Sequence, residues 1–310
     1  MGDTIQLESR HVPVFPQEIA YWLLRQRPMV IVDCTVGYGG HAEMLLNHSD
    51  SATRIIGLDQ DPEAIAFSQQ RLMGFGERVI LKQGNYRDVK SHLAELGVST
   101  VGGVVFDLGV SSPQLDDPGR GFSFRQDGPL DMRMDQTTGT TAAALVNSCQ
   151  EHELADMIFQ FGEERYSRRI ARAIVRAREH ASIETTGELA SVIAGAVPAA
   201  YRHGRIHCAT RTFQALRIAV NDELGGLAPS LRDAAGLLEP GGRMCVISFH
   251  SLEDRIVKHT FRSLAQGSGA RFSLPVKKPI LPTEQECLAN PRARSAKLRV
   301  AERVSERMDS

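Results

Sequence analysis

Three aspartates stand out by position, because each closes a short apolar run rich in β-branched residues. Asp33 follows Met29-Val30-Ile31-Val32, Asp59 follows Arg54-Ile55-Ile56-Gly57-Leu58, and Asp107 follows Gly103-Val104-Val105-Phe106. Open α/β sheets bind ligands outside the carboxyl ends of their strands, so carboxylates there are candidates for ligand contact. Asp33 leads into Cys34-Thr35-Val36-Gly37-Tyr38-Gly39-Gly40-His41. Glycines at such a turn let a ligand approach the backbone amides that open the next helix. Asp59 lies about twenty residues on, where a carboxylate accepts hydrogen bonds from both ribose hydroxyls of an adenosine cofactor. The glycines are not spaced G-x-G-x-x-G, as pyrophosphate recognition requires. Asp33 is poorly placed for pyrophosphate and well placed for the ammonium of an amino-acid moiety. S-adenosylmethionine carries that ammonium and no phosphate, so it fits better than a dinucleotide.

Two further segments belong with these. In Gln83-Gly84-Asn85-Tyr86, the Tyr86 ring either lies against adenine or caps the core. Asp107-Leu108-Gly109-Val110-Ser111-Ser112-Pro113-Gln114-Leu115-Asp116 sets hydrogen-bonding groups over the strand ends. Amino-group methyltransferases commonly carry an Asp/Asn-Pro-Pro-aromatic run at this place. Asp107 takes the leading position here but the prolines are missing, so that analogy is loose. His250 and Asp254 have no third ligand nearby and read as helix-capping or substrate-positioning residues. Asp116, Asp117, Asp127, Asp131 and Asp135 lie among glycines and prolines, as turn and cap residues do. No obligatory metal is expected.

The apolar runs 29–33, 54–59, 78–82, 103–107 and 244–249 suit strands buried between two helix layers. Helical patterns fill 41–47, 62–73 and 87–96. Together they predict an α/β fold with a doubly wound, mostly parallel sheet. Strand four ends near Gly109 and strand five starts near Gly242, a gap too long for one crossover. Residues 212–238 read as ordinary crossover helices closing at the turn Glu239-Pro240-Gly241-Gly242. Residues 115–210 contain helical patterns at 151–161, 163–180 and 186–196 and no convincing strand. The expected organisation is a discontinuous cofactor domain, 1–114 and 211–310, with an all-helical substrate-recognition domain inserted at 115–210.

Charge points to a local surface rather than a global one. Lys and Arg number 36 against 37 Asp and Glu, a net charge of -1, which excludes a general polycation. Arg165, Arg168, Arg169, Arg172 and Arg176 nevertheless fall on one face of a single helix. Arg202-His203-Gly204-Arg205 leads to Arg211 and Arg217, and Arg292, Arg294, Lys297, Arg299 and Arg303 mark a basic tail. Three such clusters on a near-neutral chain favour a surface that tracks phosphates. No apolar run approaches the roughly 20 residues of a membrane span, and the first residues do not read as a secretion signal. The five scattered cysteines form neither a disulfide framework nor a metal clip. A cytoplasmic protein is expected.

These motifs resemble the bacterial ribosomal small-subunit RNA cytosine-N4 methyltransferases, the MraW family. The resemblance rests on His11-Val12-Pro13-Val14, residues 33–41, Leu58-Asp59-Gln60-Asp61-Pro62, and above all residues 107–135, with Gly121-Phe122-Ser123-Phe124 and Gly128-Pro129-Leu130-Asp131-Met132-Arg133-Met134-Asp135. It continues through Arg211-Thr212-Phe213-Gln214-Ala215-Leu216-Arg217, Ser248-Phe249-His250-Ser251-Leu252-Glu253-Asp254 and Asn290-Pro291-Arg292-Ala293-Arg294-Ser295. Cys34 departs from the Gly or Ala expected there. The resemblance implies a class I methyltransferase-like fold and S-adenosylmethionine contacts at Gly39, Gly40, His41, Asp59, Tyr86, Asp107 and Gln114. It also implies methyl transfer to N4 of a cytidine in the decoding region of 16S ribosomal RNA, within an assembled or assembling subunit. Asp107 is the first candidate for accepting a hydrogen bond from that amine, with Ser111 and Ser112 as helpers. Two alternatives stay open: methylation of another RNA or of a protein amine, and a cofactor-binding RNA chaperone whose catalysis is incidental. The residues also leave a homodimer open.

Overall fold

The computed structural model describes residues 13–204, 206–266 and 271–304. His11, Val12 and Arg205 from the motifs above lie outside them. The chain forms two compact units, residues 1–109 with 224–310, and residues 110–223.

The first unit opens with α1 (Pro16–Leu24), β1 (Val30–Asp33), α2 (Gly40–His48), β2 (Arg54–Asp59), α3 (Pro62–Leu72), β3 (Val79–Gln83), α4 (Val89–Glu95) and β4 (Val101–Asp107). The second unit supplies α5 (Ser112–Asp116), α6 (Ala142–Ser148), α7 (Glu151–Gly162), α8 (Ser167–Arg178), α9 (Thr186–Ala196), α10 (Ala199–Arg202) and α11 (Thr210–Asn221). The chain then returns through α12 (Leu227–Leu237), β5 (Leu238–Ser248), α13 (Ser251–Leu264), β6 (Phe272–Ser273), α14 (Glu284–Ala289) and β7 (Lys297–Arg303). Among the described residues the sheet has the order β3-β2-β1-β4-β5-β7-β6. Its first five strands run parallel, while β7 pairs antiparallel with β5 and β6.

Alternation along the strands builds two cores. Val30, Val32, Ile56, Leu58, Val104 and Phe106 face one side with α4, α12 and α13. Ile31, Ile55 and Val105 face the other with α1, α2 and α3. Both faces are covered, so the central strands read as continuous apolar runs, as parallel sheets do. The second unit has a core of its own, in which Ile158 of α7, Ile170 and Ile174 of α8, Leu189 of α9 and Phe213 and Leu216 of α11 are buried together.

Three expectations are corrected here. The second unit ends at Glu223 rather than at residue 210, because α11 turns Phe213 and Leu216 into the helical core. Residues 212–238 are therefore not one set of crossover helices. Strand five begins at Leu238 and not near Gly242: Val101 pairs with Leu238 and Gly103 with Arg243, so Glu239-Pro240-Gly241-Gly242 is a bulge within β5. Gly241, at φ 82°, supplies the left-handed residue that this bulge needs. The basic tail is partly a strand. In β7, Leu298 and Val300 are buried, while Arg299 Nε and Lys297 Nζ reach Asp254 at 2.7 and 3.1 Å. Those two cations hold β7 against α13.

Candidate active site

The sheet order reverses at β1, which pairs with β2 on one side and β4 on the other. That reversal opens a crevice at the strand ends. Asp33, Asp59 and Asp107 end these three adjacent strands. Asp33 is 1% exposed. Its Oδ1 accepts the Thr35 backbone N–H at 3.2 Å, and its Oδ2 is buried with no hydrogen-bond partner among the described residues. Thr35 also reaches the neighbouring strand, its Oγ1 accepting the Asp107 backbone N–H at 2.6 Å. Asp107 likewise has a buried Oδ1 without a partner, and its Oδ2 lies 3.6 Å from His41 Nδ1.

These surroundings set the protonation. The Val14 carbonyl, 2.8 Å from His41 Nε2, can only accept, so Nε2 carries a proton. Nδ1 and the Asp107 carboxyl then face each other, and together they hold one proton most comfortably. Burial lowers the His41 pKa, whereas burial and the negative charge of Glu253 push Asp107 up to about 7. The proton therefore favours the carboxyl near neutrality. Burial also pushes Asp33 up to about 7, against the pull of His41.

The glycine turn is pinned to the second strand. Gly37 N–H donates to Asp59 Oδ2 at 2.8 Å and Asp61 N–H to Oδ1 at 2.9 Å, which leaves each oxygen a second lone pair for a ligand hydroxyl. Burial raises Asp59 to about 6 despite these bonds. Gly39 caps α2 at φ 79°, a left-handed conformation costly for other residues. Gly40 carries no such demand, since an added Cβ would only touch Pro13 at 3.5 Å. The half-buried Tyr86 sets its ring edge to face against Phe106, with centroids 5.6 Å apart, so part of it serves the core. Gln114 belongs to the second unit, where its side chain and Ser111 close a capping box on α5.

Some organising residues escaped the sequence reading. Thr35 ties Asp33 to Asp107, and Ser68 Oγ donates to the Gly37 carbonyl at 2.7 Å. Thr35 at a strand-end turn was a visible signal; Ser68, 31 residues away on α3, offered none. His250 caps α13, its ring accepting from the Glu253 N–H, and Asp254 binds β7 as described. Asp117 and Asp127 accept backbone N–H groups of Gly119 and Gly187, and Asp131 pairs with Arg133 at 2.8 Å.

Buried carboxylate oxygens without donors are costly unless a ligand meets them. An ammonium and hydroxyl groups fit Asp33, Asp107 and Asp59; a pyrophosphate among three carboxylates does not. The residues thus fit S-adenosylmethionine. With a sheet whose antiparallel β7 lies between β5 and β6, the fold is that of a class I methyltransferase. The family model of the MraW methylases matches residues 8–304, and the chain belongs to that family. Its cofactor is S-adenosylmethionine. It is 52% identical over 305 residues to the ribosomal RNA small subunit methyltransferase H of Synechococcus elongatus, covering 98% of each chain. It is 50% identical over 310 residues to the protein of that name from Geobacter sp. strain M21, covering 96% of this chain and 99% of that one. Among solved structures, an O-methyltransferase from Bacillus cereus aligns over 97% of this chain and 88% of its own, with 7% identity and a TM-score of 0.48. Among the described residues, no helix is long and apolar enough to cross a membrane.

Proposed function

We propose that this enzyme methylates ribosomal RNA of the small subunit, at N4 of a cytidine in the decoding region of 16S RNA. The relatives' names and the segments quoted above support an RNA substrate. The observation that carries the N4 reading is Asp107, whose buried, unpartnered Oδ1 is a free acceptor at the end of β4. The cytosine amine is a poor nucleophile because its lone pair is delocalised into the ring. An acceptor that hydrogen-bonds the amine favours the pyramidal, more nucleophilic form.

Bound S-adenosylmethionine supplies an already activated methyl, so the chain's task is positioning rather than covalent catalysis. Asp33 holds the ammonium and Asp59 the ribose. Gly39 and Gly40 bring the backbone close, His41 buttresses Asp107, and Tyr86 borders the adenine. The resemblance adds Gln114 as a cofactor contact, and Ser111 and Ser112 as helpers of Asp107. The target base is one that has left its stack or stands in an unpaired loop. The inserted helical unit recognises the RNA, its α8 offering exposed cations to phosphates.

The test is incubation of the full chain with labelled S-adenosylmethionine and small subunits or their RNA, followed by nucleoside analysis. N4-methylcytidine is the expected product. A different modified nucleoside or a labelled protein overturns the N4 reading, and RNA binding without label transfer overturns catalysis.

A further inference from the structure

The corner between α7 and α8 is built around a buried acid. Glu163 ends α7 at φ 50°, and Glu164, fully buried, folds its carboxylate back over the turn. One oxygen accepts the Tyr166 backbone N–H at 2.8 Å and the other accepts the Tyr201 hydroxyl at 2.5 Å. Two half-buried rings from separate segments are thereby fixed edge to face, 4.9 Å between centroids. Burial and the bond to Glu164 push the Tyr201 phenol up to about 12, so it keeps its proton and its hold on Glu164. Arg165, exposed, lies over both rings, its guanidinium carbon 4.8 Å from the Tyr166 centroid and 5.0 Å from that of Tyr201. Arg169 stands 6.0 Å from the Tyr166 ring.

This sets Arg165 apart from the rest of the stripe. Arg172 leans on Glu151 at 3.5 Å; Arg165, like Arg168, Arg169 and Arg176, has no carboxylate partner among the described residues, and it alone lies over both rings. A guanidinium already seated on two aromatic faces loses little freedom when it takes a phosphate in its planar fork. Aromatic rings beside cations suit unpaired strands, whose bases are free to stack, better than a duplex. Resting on the RNA reading above, we propose that Arg165, seated on Tyr166 and Tyr201, is the fixed docking point for a backbone phosphate of unpaired RNA. Arg168 and Arg169 are its adjustable neighbours.

The experiment measures binding of a fluorescently labelled, unstructured oligouridine to the full chain by anisotropy across a salt series. Arg165→Ala is expected to weaken binding roughly tenfold and to lower the log–log salt slope by about 0.7, one phosphate of a single strand. Arg165→Lys keeps the charge and is expected to restore the slope but not the full affinity. Tyr201→Phe keeps the ring, frees Glu164 and should weaken binding at an unchanged slope; its melting curve checks the fold, and the Arg165 pair carries the test if it fails to fold. Arg176→Ala should cost less than Arg165→Ala, and Arg232→Ala on α12 should leave binding unchanged. If the parent binds and Arg165→Ala loses no more than Arg176→Ala, the docking point is wrong while RNA binding stands. If the parent binds neither the oligouridine nor small-subunit RNA, both readings fall.

Discussion

The strand ends of the sheet unit and the α8 face of the helical unit use charge in opposite ways. At the strand ends, three carboxylates sit in low-dielectric surroundings, and two of them keep an oxygen with no partner among the described residues. Burial raises all three toward neutrality, so holding them charged there costs stability. On α8, Arg168, Arg169, Arg172 and Arg176 are exposed over a buried row of Ser167, Ile170, Ala171 and Ile174. Those cations stay hydrated and cost little. Buried charge with fixed geometry recognises one small ligand; exposed charge on flexible stems follows a polyanion and fades with salt.

The largest expected effect lies at Asp107. Asp107→Asn still offers an oxygen but no charge, and its single-turnover rate at saturating cofactor and RNA should fall by about 10²–10⁴-fold. A rate restored by saturating cofactor would make Asp107 an anchor only. In the parent, an Asp107 pKa raised to about 7 means that the carboxylate form gains ground as pH rises through that value. The single-turnover rate should rise over the same window, and Asp107→Asn should flatten the profile. An unchanged profile in the variant would assign the titration elsewhere.

Asp59→Ala comes next. Losing charge-assisted ribose bonds should weaken cofactor binding by roughly 1.5–3 kcal/mol without unfolding the chain. Calorimetry showing parental affinity in a folded variant would remove Asp59 from the site. The smallest effect belongs to the cationic face. Replacing Arg168, Arg172 and Arg176 together by Ala should lower the salt slope of RNA binding by about two units at most, with cofactor affinity unchanged. The exposed Arg172–Glu151 pair adds little to stability, so the fold should persist. A parental slope would make the stripe a solvated face.

The strand ends were legible because a buried parallel strand leaves a short apolar run, and a polar residue that breaks it marks the end. Asp33, Asp59 and Asp107 could be read that way. What the sequence hid was decided by packing between distant segments. α11 looked like a crossover helix until Phe213 and Leu216 were seen in the helical core. β7 carries alternating Leu298 and Val300, a period-two signal, but its charged partners made it read as a basic tail. Asp254, 43 residues from Lys297, is the reason those charges are needed. The partnerless oxygens of Asp33 and Asp107 appear only once three strands lie side by side.

The most direct test of a site held ready for a cation is Asp33→Asn in the cofactor-free protein. Asp33 has a folded pKa of about 7 against an ordinary 3.8, so the folded chain keeps a proton that the unfolded chain releases. Stability from this group is therefore fully present below about pH 4 and lost as pH rises through 7. Thermal unfolding at pH 8, paired with calorimetric titration of S-adenosylmethionine, reads both sides of the exchange. The variant should be more stable than its parent, by on the order of 1–3 kcal/mol, and should bind the cofactor at least about a hundredfold more weakly. A variant no more stable than the parent that still binds S-adenosylmethionine with parental affinity would contradict the assignment of Asp33.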